Sequence, residues 1–309
     1  MSGADYRGGA AFVDGAFVPA ADARIPLLDT GFTRSDATYD VVGVWGGGFF
    51  RLEDHLDRFE RGCRELRLTL PLSRDQIREV LLELVRRAGL RDAYVEMICT
   101  RGVDTEGVRD PRRFVNRFYA FAIPFVWLLP PEQRESGMRA VITRTVQRIS
   151  PGAVDPTVKN FHWGDLTRGL YEAFDRDARY PILLDAAGNV TEGAGYNVFA
   201  LVEGRLLTPV AGALEGITRR TILELAAAEG IPAEAVELPA DVFRRGTELF
   251  ATTTAGGVMP ITELDGEPVG AGGVGPVTAR LRERYWELHS DPRYTTPVVQ
   301  AAAARAPGA

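Results

Sequence analysis

Two hydrophobic periods alternate along the chain. In the first third, apolar residues come in short alternating runs broken by glycine and aspartate. Residues 12–18 place Asp14-Gly15 between apolar neighbours, which predicts a tight hairpin. Residues 39–51 read as a second strand–turn–strand, with Gly46, Gly47 and Gly48 in the turn. The period then lengthens. Leu52, Leu56, Phe59, Cys63 and Leu66 recur every three or four residues and predict a helix with one apolar face. Ser73 and Gln76 form a capping box that opens a second helix over 74–88, closed by Gly89. Residues 93–100 and 117–125 read as buried strands on either side of a polar loop, 101–116.

Residues 125–136 carry the Pro130-Pro131 pair and then a charged run, which suits a linker. The expected organisation is a small N-terminal α/β domain over 1–126, a linker over 127–137 and a larger domain over 138–309. In the latter, 140–147 is strand-like, and 149–158, with Pro151, Gly152 and Pro156, is an ordered loop leading to Lys159. A helix is predicted over 163–177, a strand over 180–184, and a hairpin from 197–202 and 205–207 around Glu203-Gly204. A helix opens at Gly216 and runs to Ala228, a strand covers 248–252, and a last helix covers 276–289. The tail from Thr295 is expected to fray. Strands and helices so interleaved give an α/β (α+β) class.

Composition changes the picture at two points. With 36 basic and 42 acidic residues in 309, the formal net charge is −6, which gives no support to binding of nucleic acid or anionic lipid by bulk electrostatics. Two cysteines and three scattered histidines offer neither a disulfide framework nor metal-ligand spacing. The N-terminus lacks the basic-then-apolar pattern of a signal peptide, and the apolar run 118–131 is short of the roughly 18 residues a membrane span needs. A soluble, cytoplasmic protein is expected. The second point is sharper. Of the 36 basic residues only Lys159 is a lysine. An arginine stays protonated at any working pH, whereas a lysine amine can lose its proton and attack a carbonyl carbon. A leftover surface lysine is the plain alternative.

Two segments downstream favour anions. Glu215-Gly216-Ile217-Thr218-Arg219 opens a helix, where unpaired backbone N–H groups and the positive dipole end point outward. Thr252-Thr253-Thr254-Ala255-Gly256-Gly257 follows a strand and offers hydroxyls and glycine N–H groups. Either alone is usually a capped helix or a turn. Together with one lysine they point to a phosphorylated aldehyde, pyridoxal 5'-phosphate, whose ring nitrogen asks for a carboxylate. Glu192, on the small-residue turn Thr191-Glu192-Gly193-Ala194-Gly195, supplies one. Gly272-Gly273-Val274-Gly275 follows no strand of a dinucleotide-binding unit and reads as the loop into the last helix.

The ordered set TVKNFHWGDLTRGLYEA, LLDAAGNVTEGAGYNVFAL, LEGITRR and FATTTAGGVMPITELDG resembles the fold type IV pyridoxal-phosphate enzymes, a two-domain fold whose larger domain has a β-barrel-like core flanked by helices. The N-terminal segments SDATYDVVGVW, FFRLEDHLDRFERGC and YVEMICTRGV are most similar to the (R)-selective amine transaminases. The resemblance implies Lys159 as the Schiff-base lysine, Glu192 as partner of the ring nitrogen, and Arg58, Ile217, Thr218, Thr253 and Thr254 as phosphate contacts. It implies Tyr39, Val41, Tyr94, Trp163 and Ala255 around the substrate. The loop after Thr100 lacks the R-x-H triplet of D-amino-acid transaminases. Arg109 is then expected to meet the keto acid, with Arg101 or Arg112 as alternatives. Arg34 departs from the pattern and is expected either to recruit carboxylates or to pair with Asp36. The implied activity is transfer of an amino group from an (R)-amine donor to a keto acid such as pyruvate, in a homodimer whose site lies at the subunit interface. D-amino-acid transamination is the first alternative, and branched-chain transamination or a lyase reaction the next.

Overall fold

The computed structural model describes residues 8–107 and 109–298. In chain order its elements are β1 (Ala10–Val13), β2 (Ala16–Pro19), α1 (Thr30–Arg34), β3 (Ala37–Trp45), β4 (Gly48–Phe50), α2 (Leu52–Glu65), α3 (Arg74–Ala88), β5 (Ala93–Val103), β6 (Val115–Pro124) and β7 (Met138–Gln147). They continue as α4 (Gly164–Asp175), β8 (Tyr180–Leu184), β9 (Val190–Gly193), β10 (Asn197–Val202), β11 (Arg205–Pro209), α5 (Ile217–Ala228), β12 (Ala233–Val236) and α6 (Ala240–Arg244). The last are β13 (Glu248–Thr253), β14 (Gly257–Leu264), β15 (Glu267–Pro268), α7 (Pro276–Glu287) and β16 (Thr295–Pro297). Two compact units divide the chain: one holds residues up to Val126 and those from His289, the other Trp127–Leu288.

The first unit is built on a seven-stranded sheet in the order β16-β4-β3-β5-β6-β1-β2, antiparallel at every junction. Alternation gives the sheet two unlike faces. Val42, Val44, Val95, Met97, Cys99, Phe118 and Ala120 lie in one apolar cluster with Leu56, Phe59 and Cys63 of α2 and Ile77, Leu81 and Leu84 of α3. The intervening positions place Tyr39, Val41, Tyr94, Glu96 and Phe121 together on the opposite face, since Val41 pairs with Glu96 and Glu96 with Phe121.

The start of the tail is ordered rather than frayed, while residues 299–309 of the expected frayed segment lie outside the described residues. Thr295–Pro297 pairs with Gly48–Phe50, the His289 ring stacks on Phe50 at 3.8 Å, and Arg51 N donates to Tyr294 O at 2.7 Å. The reason is an open strand edge at β4 that accepts two adjacent threonines of high strand propensity. The segment 289–298 therefore belongs with the first unit rather than with 138–309. Residues 127–137, expected as a linker, fall inside the second unit, where Leu128 N donates to Ala255 O at 2.8 Å and the Trp127 ring meets that of Trp286.

The second unit carries a nine-stranded sheet, β12-β11-β10-β13-β14-β7-β8-β9, with β15 beside β14. Its outer strand curls back, because Gly193 of β9 bridges Tyr196 at the entrance to β10. A Cβ at Gly193 would fall 2.0 Å from the Tyr196 ring, so only glycine permits that approach. Leu129, Met138, Ile142, Ile182, Val198, Ala251, Met259 and Ile261 fill the interior. The strands β9, β12 and β14 and the short helices α1 and α6 are absent from the sequence reading. Among the described residues no helix is long and apolar enough to cross a membrane, and no group of three or more His, Cys, Asp or Glu side chains is placed to hold a metal ion.

Candidate active site

In the second unit, Lys159 sits half-buried at the end of an ordered loop. Asp155 Oδ1 accepts from Thr157 N at 2.8 Å, Asn160 Nδ2 donates to Val158 O at 2.8 Å, and His162 N donates to Asn160 Oδ1 at 2.9 Å. These turns fix the lysine's backbone on both sides.

Glu192 lies on β9, which Thr191 fastens to β8 through Oγ1→Leu183 O at 2.8 Å. The carboxylate is buried. Burial pushes its pKa above the usual glutamate range, and the charge of Arg148, the Leu214 N–H and the charge of Lys159 pull against that rise. Lys159 and Glu192 therefore act on each other electrostatically within one unit. Trp163, at the N-cap of α4, packs with Val146, Leu166, Leu183 and Ala194, and a Cβ at Gly195 would come 3.5 Å from its ring.

The anion cradle is built from α5 and β13. No side chain caps α5, so the N–H groups of its first turn, at Ile217 and Thr218, are available to an anion. Gly216 is packed so closely that a Cβ there would lie 2.1 Å from Asn197 Oδ1. Asn197 Nδ2 in turn donates to Leu214 O at 2.8 Å, so one turn carries both the N–H that binds Glu192 and the entry to α5. Thr252, opposite Asn197 across β10 and β13, has a buried Oγ1 with no hydrogen-bond partner. Thr253 Oγ1 accepts from Ala255 N at 3.3 Å and closes its own turn, with Thr254 half-buried between them. An uncapped helix, an orphaned buried hydroxyl and a buried glutamate on which Lys159 acts electrostatically fit a phosphorylated pyridine aldehyde.

Arg58 is placed in the first unit, on α2, and is buried. Its Nε donates to Asp40 Oδ2 at 2.7 Å and its Nη2 to Asp40 Oδ1 at 2.8 Å, while His55 Nδ1 lies 2.8 Å from Asp40 Oδ1. Burial alone would raise the Asp40 pKa; the Arg58 charge and the hydrogen bonds from Arg58 and His55 overcome it and hold the carboxyl well below its ordinary range. On the far face of the same sheet, Tyr94 OH donates to Glu96 Oε2 at 3.0 Å, and Tyr94 stacks with Phe121. Burial, with the Glu96 charge, pushes the Tyr94 phenol well above the usual range. Glu96 was missed by sequence reasoning, although a charged residue inside the apolar run AYVEMICT was its signal.

The arginine alternatives resolve in part. Arg101 is committed to structure: it pairs with Asp36 and donates to Arg67 O at 2.9 Å and Leu66 O at 2.7 Å. Asp36 is thus engaged by Arg101 and not by Arg34, which is exposed at the end of α1. Arg112 pairs with Asp110, and Arg113 with Glu106. Arg109 is exposed, with φ 55°, and Asp104 holds its backbone through Arg109 N→Oδ2 at 2.8 Å. Among the described residues no ion pair joins the Arg109 guanidinium.

Residues 37–264 match the model of the amino-transferase class IV family. The chain belongs to the class IV aminotransferases. These are fold type IV enzymes dependent on pyridoxal 5'-phosphate. A protein of Methanocaldococcus jannaschii provisionally named a branched-chain-amino-acid aminotransferase is 34% identical over 90% of this chain and 96% of its own length. The D-alanine aminotransferase of Listeria monocytogenes is 28% identical over 89% of this chain and 94% of its own. The structure of the T.th. branched-chain amino acid aminotransferase with pyridoxamine 5'-phosphate superimposes with a TM-score of 0.87 at 27% identity, covering 94% of this chain and 99% of that one. This aminotransferase is therefore an enzyme of mixed α/β fold type IV.

Proposed function

We propose that the aminotransferase moves the amino group of an (R)-amine to a keto acid such as pyruvate. The observation that carries the reading is the electrostatic pull of the only lysine on the buried Glu192, whose Leu214 partner leads into a helix terminus that no side chain caps. Lys159 would hold the cofactor aldehyde, Glu192 the ring nitrogen, and Ile217, Thr218, Thr253 and Thr254 the phosphate, with Thr252 added to the predicted set and Arg58 retained in it. When bound, the cofactor supplies the electron sink for the substrate carbon. The chain's own work is then proton handling. Displaced from the aldehyde by the donor amine, Lys159 Nζ would take the proton from the donor's reacting carbon and, in the return half of the exchange, would give a proton to the matching carbon of the keto acid, while Glu192 would keep a positive ring nitrogen favourable.

Donor choice is read from the sheet face that carries Tyr39, Val41, Tyr94 and Glu96. A buried carboxylate there disfavours a donor that brings a carboxylate of its own and favours an amine. With Arg101, Arg112 and Arg113 engaged, Arg109 is the proposed keto-acid contact, and Trp163 and Ala255 complete the proposed substrate set. D-amino-acid transamination is the second reading, supported by the exposed Arg34 and by the D-alanine aminotransferase relatives. A homodimer is also proposed. Ile25, Leu27, Leu28 and Phe32 form an exposed apolar run, with Leu27 at 72% and Leu28 at 71% exposure, of the kind that marks a subunit interface. Cytoplasmic placement is part of the same reading.

An enantiomer-resolved panel with pyruvate as acceptor tests it, using (R)- and (S)-1-phenylethylamine, D-alanine and L-leucine. Turnover with the (R)-amine above the others is expected. L-leucine as preferred donor would overturn the reading, and D-alanine as preferred donor would replace it with the second. Pyruvate released from D-serine without any acceptor would indicate a lyase.

A further inference from the structure

Arg148 follows β7 directly and is held by its own backbone, N→Leu184 O at 2.8 Å. Its side chain is 6% exposed and lies between two carboxylates. Nε and Nη2 both donate to Glu192 Oε1, at 3.1 and 3.0 Å, and Nη1 donates to Asp165 Oδ2 at 2.6 Å. Asp165 is itself fixed at the first turn of α4, where Oδ2 also accepts from Ile149 N at 2.7 Å. The other oxygen of Glu192, Oε2, accepts from Leu214 N at 3.0 Å. The charged groups acting on Glu192 are thus Arg148 at the end of β7 and Lys159 on the loop before α4, with Asp165 of α4 reached through Arg148. None of these roles is implied by the resemblance, and one arginine among 35 carried no signal in the sequence.

We propose that Arg148 is a positioning residue that keeps Glu192 charged and fixes its orientation, with Asp165 as the second anchor of the guanidinium. This rests on the reading that Glu192 serves the ring nitrogen. A carboxylate removed from water takes up a proton unless a cation faces it, and a protonated carboxyl would no longer favour a positive ring nitrogen. A planar fork that reaches Glu192 and Asp165 at once does what a lysine ammonium cannot, because it fixes direction as well as charge. Asp165 also tempers the guanidinium, so that Glu192 is not over-stabilised.

The test is the melting temperature of the cofactor-free protein across pH 5 to 9, for wild type, Arg148→Met, Arg148→Lys, Asp165→Asn and the double variant Arg148→Met with Glu192→Gln. An opposite charge at this range moves a carboxyl pKa by about 1–3 units. Arg148→Met should therefore raise the Glu192 pKa further, and its stability should fall as pH rises through the new value, relative to wild type. The double variant should lose that extra slope, Arg148→Lys should restore part of the wild-type profile, and Asp165→Asn should move it the other way. The cofactor absorbance of Arg148→Met should match that of Glu192→Gln. Parallel melting profiles for wild type and Arg148→Met would overturn the proposal, leaving only a packing role. Should Arg148→Met fail to fold, the opposed shifts of Arg148→Lys and Asp165→Asn decide, and profiles unchanged in both would equally overturn it. Failure of the functional reading would look different: the shifts would persist while Lys159→Ala bound the cofactor with an unchanged spectrum.

Discussion

Arg58 and Lys159 are both proposed to hold the cofactor, yet their surroundings predict different failures. Lys159 is half-buried on a loop held by backbone and Asx-type bonds, so Lys159→Ala should leave the fold intact. It should remove turnover and the visible absorbance of the bound cofactor, and absorbance spectra after cofactor addition check this. Arg58 is the bidentate partner of a buried Asp40. Removing one partner of a buried ion pair costs about 3–5 kcal/mol. Arg58→Ala should therefore lower the melting temperature of the cofactor-free protein as well as weaken cofactor retention, a double effect to be seen by calorimetry before and after loading. His55 adds a pH dependence. Burial lowers its pKa from 6.5, with the Asp40 carboxylate opposing that change. Above pH about 6.5 neither state binds the proton and the folded form keeps its full advantage; below it the unfolded chain is protonated first, so stability falls. Melting curves from pH 8 to 5 should show this fall, and His55→Gln should flatten it. The sequence singles out Lys159 and Glu192 because each is chemically distinctive in its place, and the structure sets the lysine where it acts electrostatically on the buried carboxylate. Asp40 was not, because a strand aspartate shows no sign of the arginine and histidine that α2 brings to it.

Among the elements, the turn before α5 is the most consequential. Leu214 gives its N–H to Glu192 and its carbonyl to Asn197, and Gly216 lies against the same asparagine. Gly216→Ala has no backbone objection, with φ at −62°, but its methyl would displace Asn197 and loosen both the carboxylate and the helix entrance. We expect at least a tenfold weaker hold on pyridoxal phosphate, about 1.4 kcal/mol, measured by equilibrium dialysis. The long elements were readable from the sequence: α3 follows Ser73 and its capping box to the residue, and α5 begins just after Gly216. What went unread is short or lacks a period. β14 reads GVMPITEL, an apolar run whose proline and leading glycines mimic a loop, and β9 has only four residues, in which Glu192 and Gly193 suggest a turn. Their strand character comes from neighbours in the sheet, which no local pattern encodes.

For the whole molecule, the exposed run before and within α1 is rigid rather than loose. Asp29, fully buried, accepts from Gly31 N at 2.8 Å, from Thr100 Oγ1 at 2.9 Å and from the Tyr119 hydroxyl at 2.9 Å. Leu27, Leu28 and Phe32 are thus displayed from a fixed mount, as an interface needs. Leu27→Glu with Leu28→Glu should convert the proposed dimer to a monomer in light scattering, with activity lost alongside. A double variant that stays dimeric would locate the interface elsewhere. The return of β16 to β4 has its own corollary for anyone dissecting the enzyme. The N-terminal unit is not a contiguous stretch of the gene, so a fragment stopped near Val126 would strip Phe50 of its histidine cover and leave an unguarded ribbon edge. Such a piece would be expected to aggregate through that edge. Joining residues 289–298 to it by a short artificial tether is the dissection most apt to yield a soluble half.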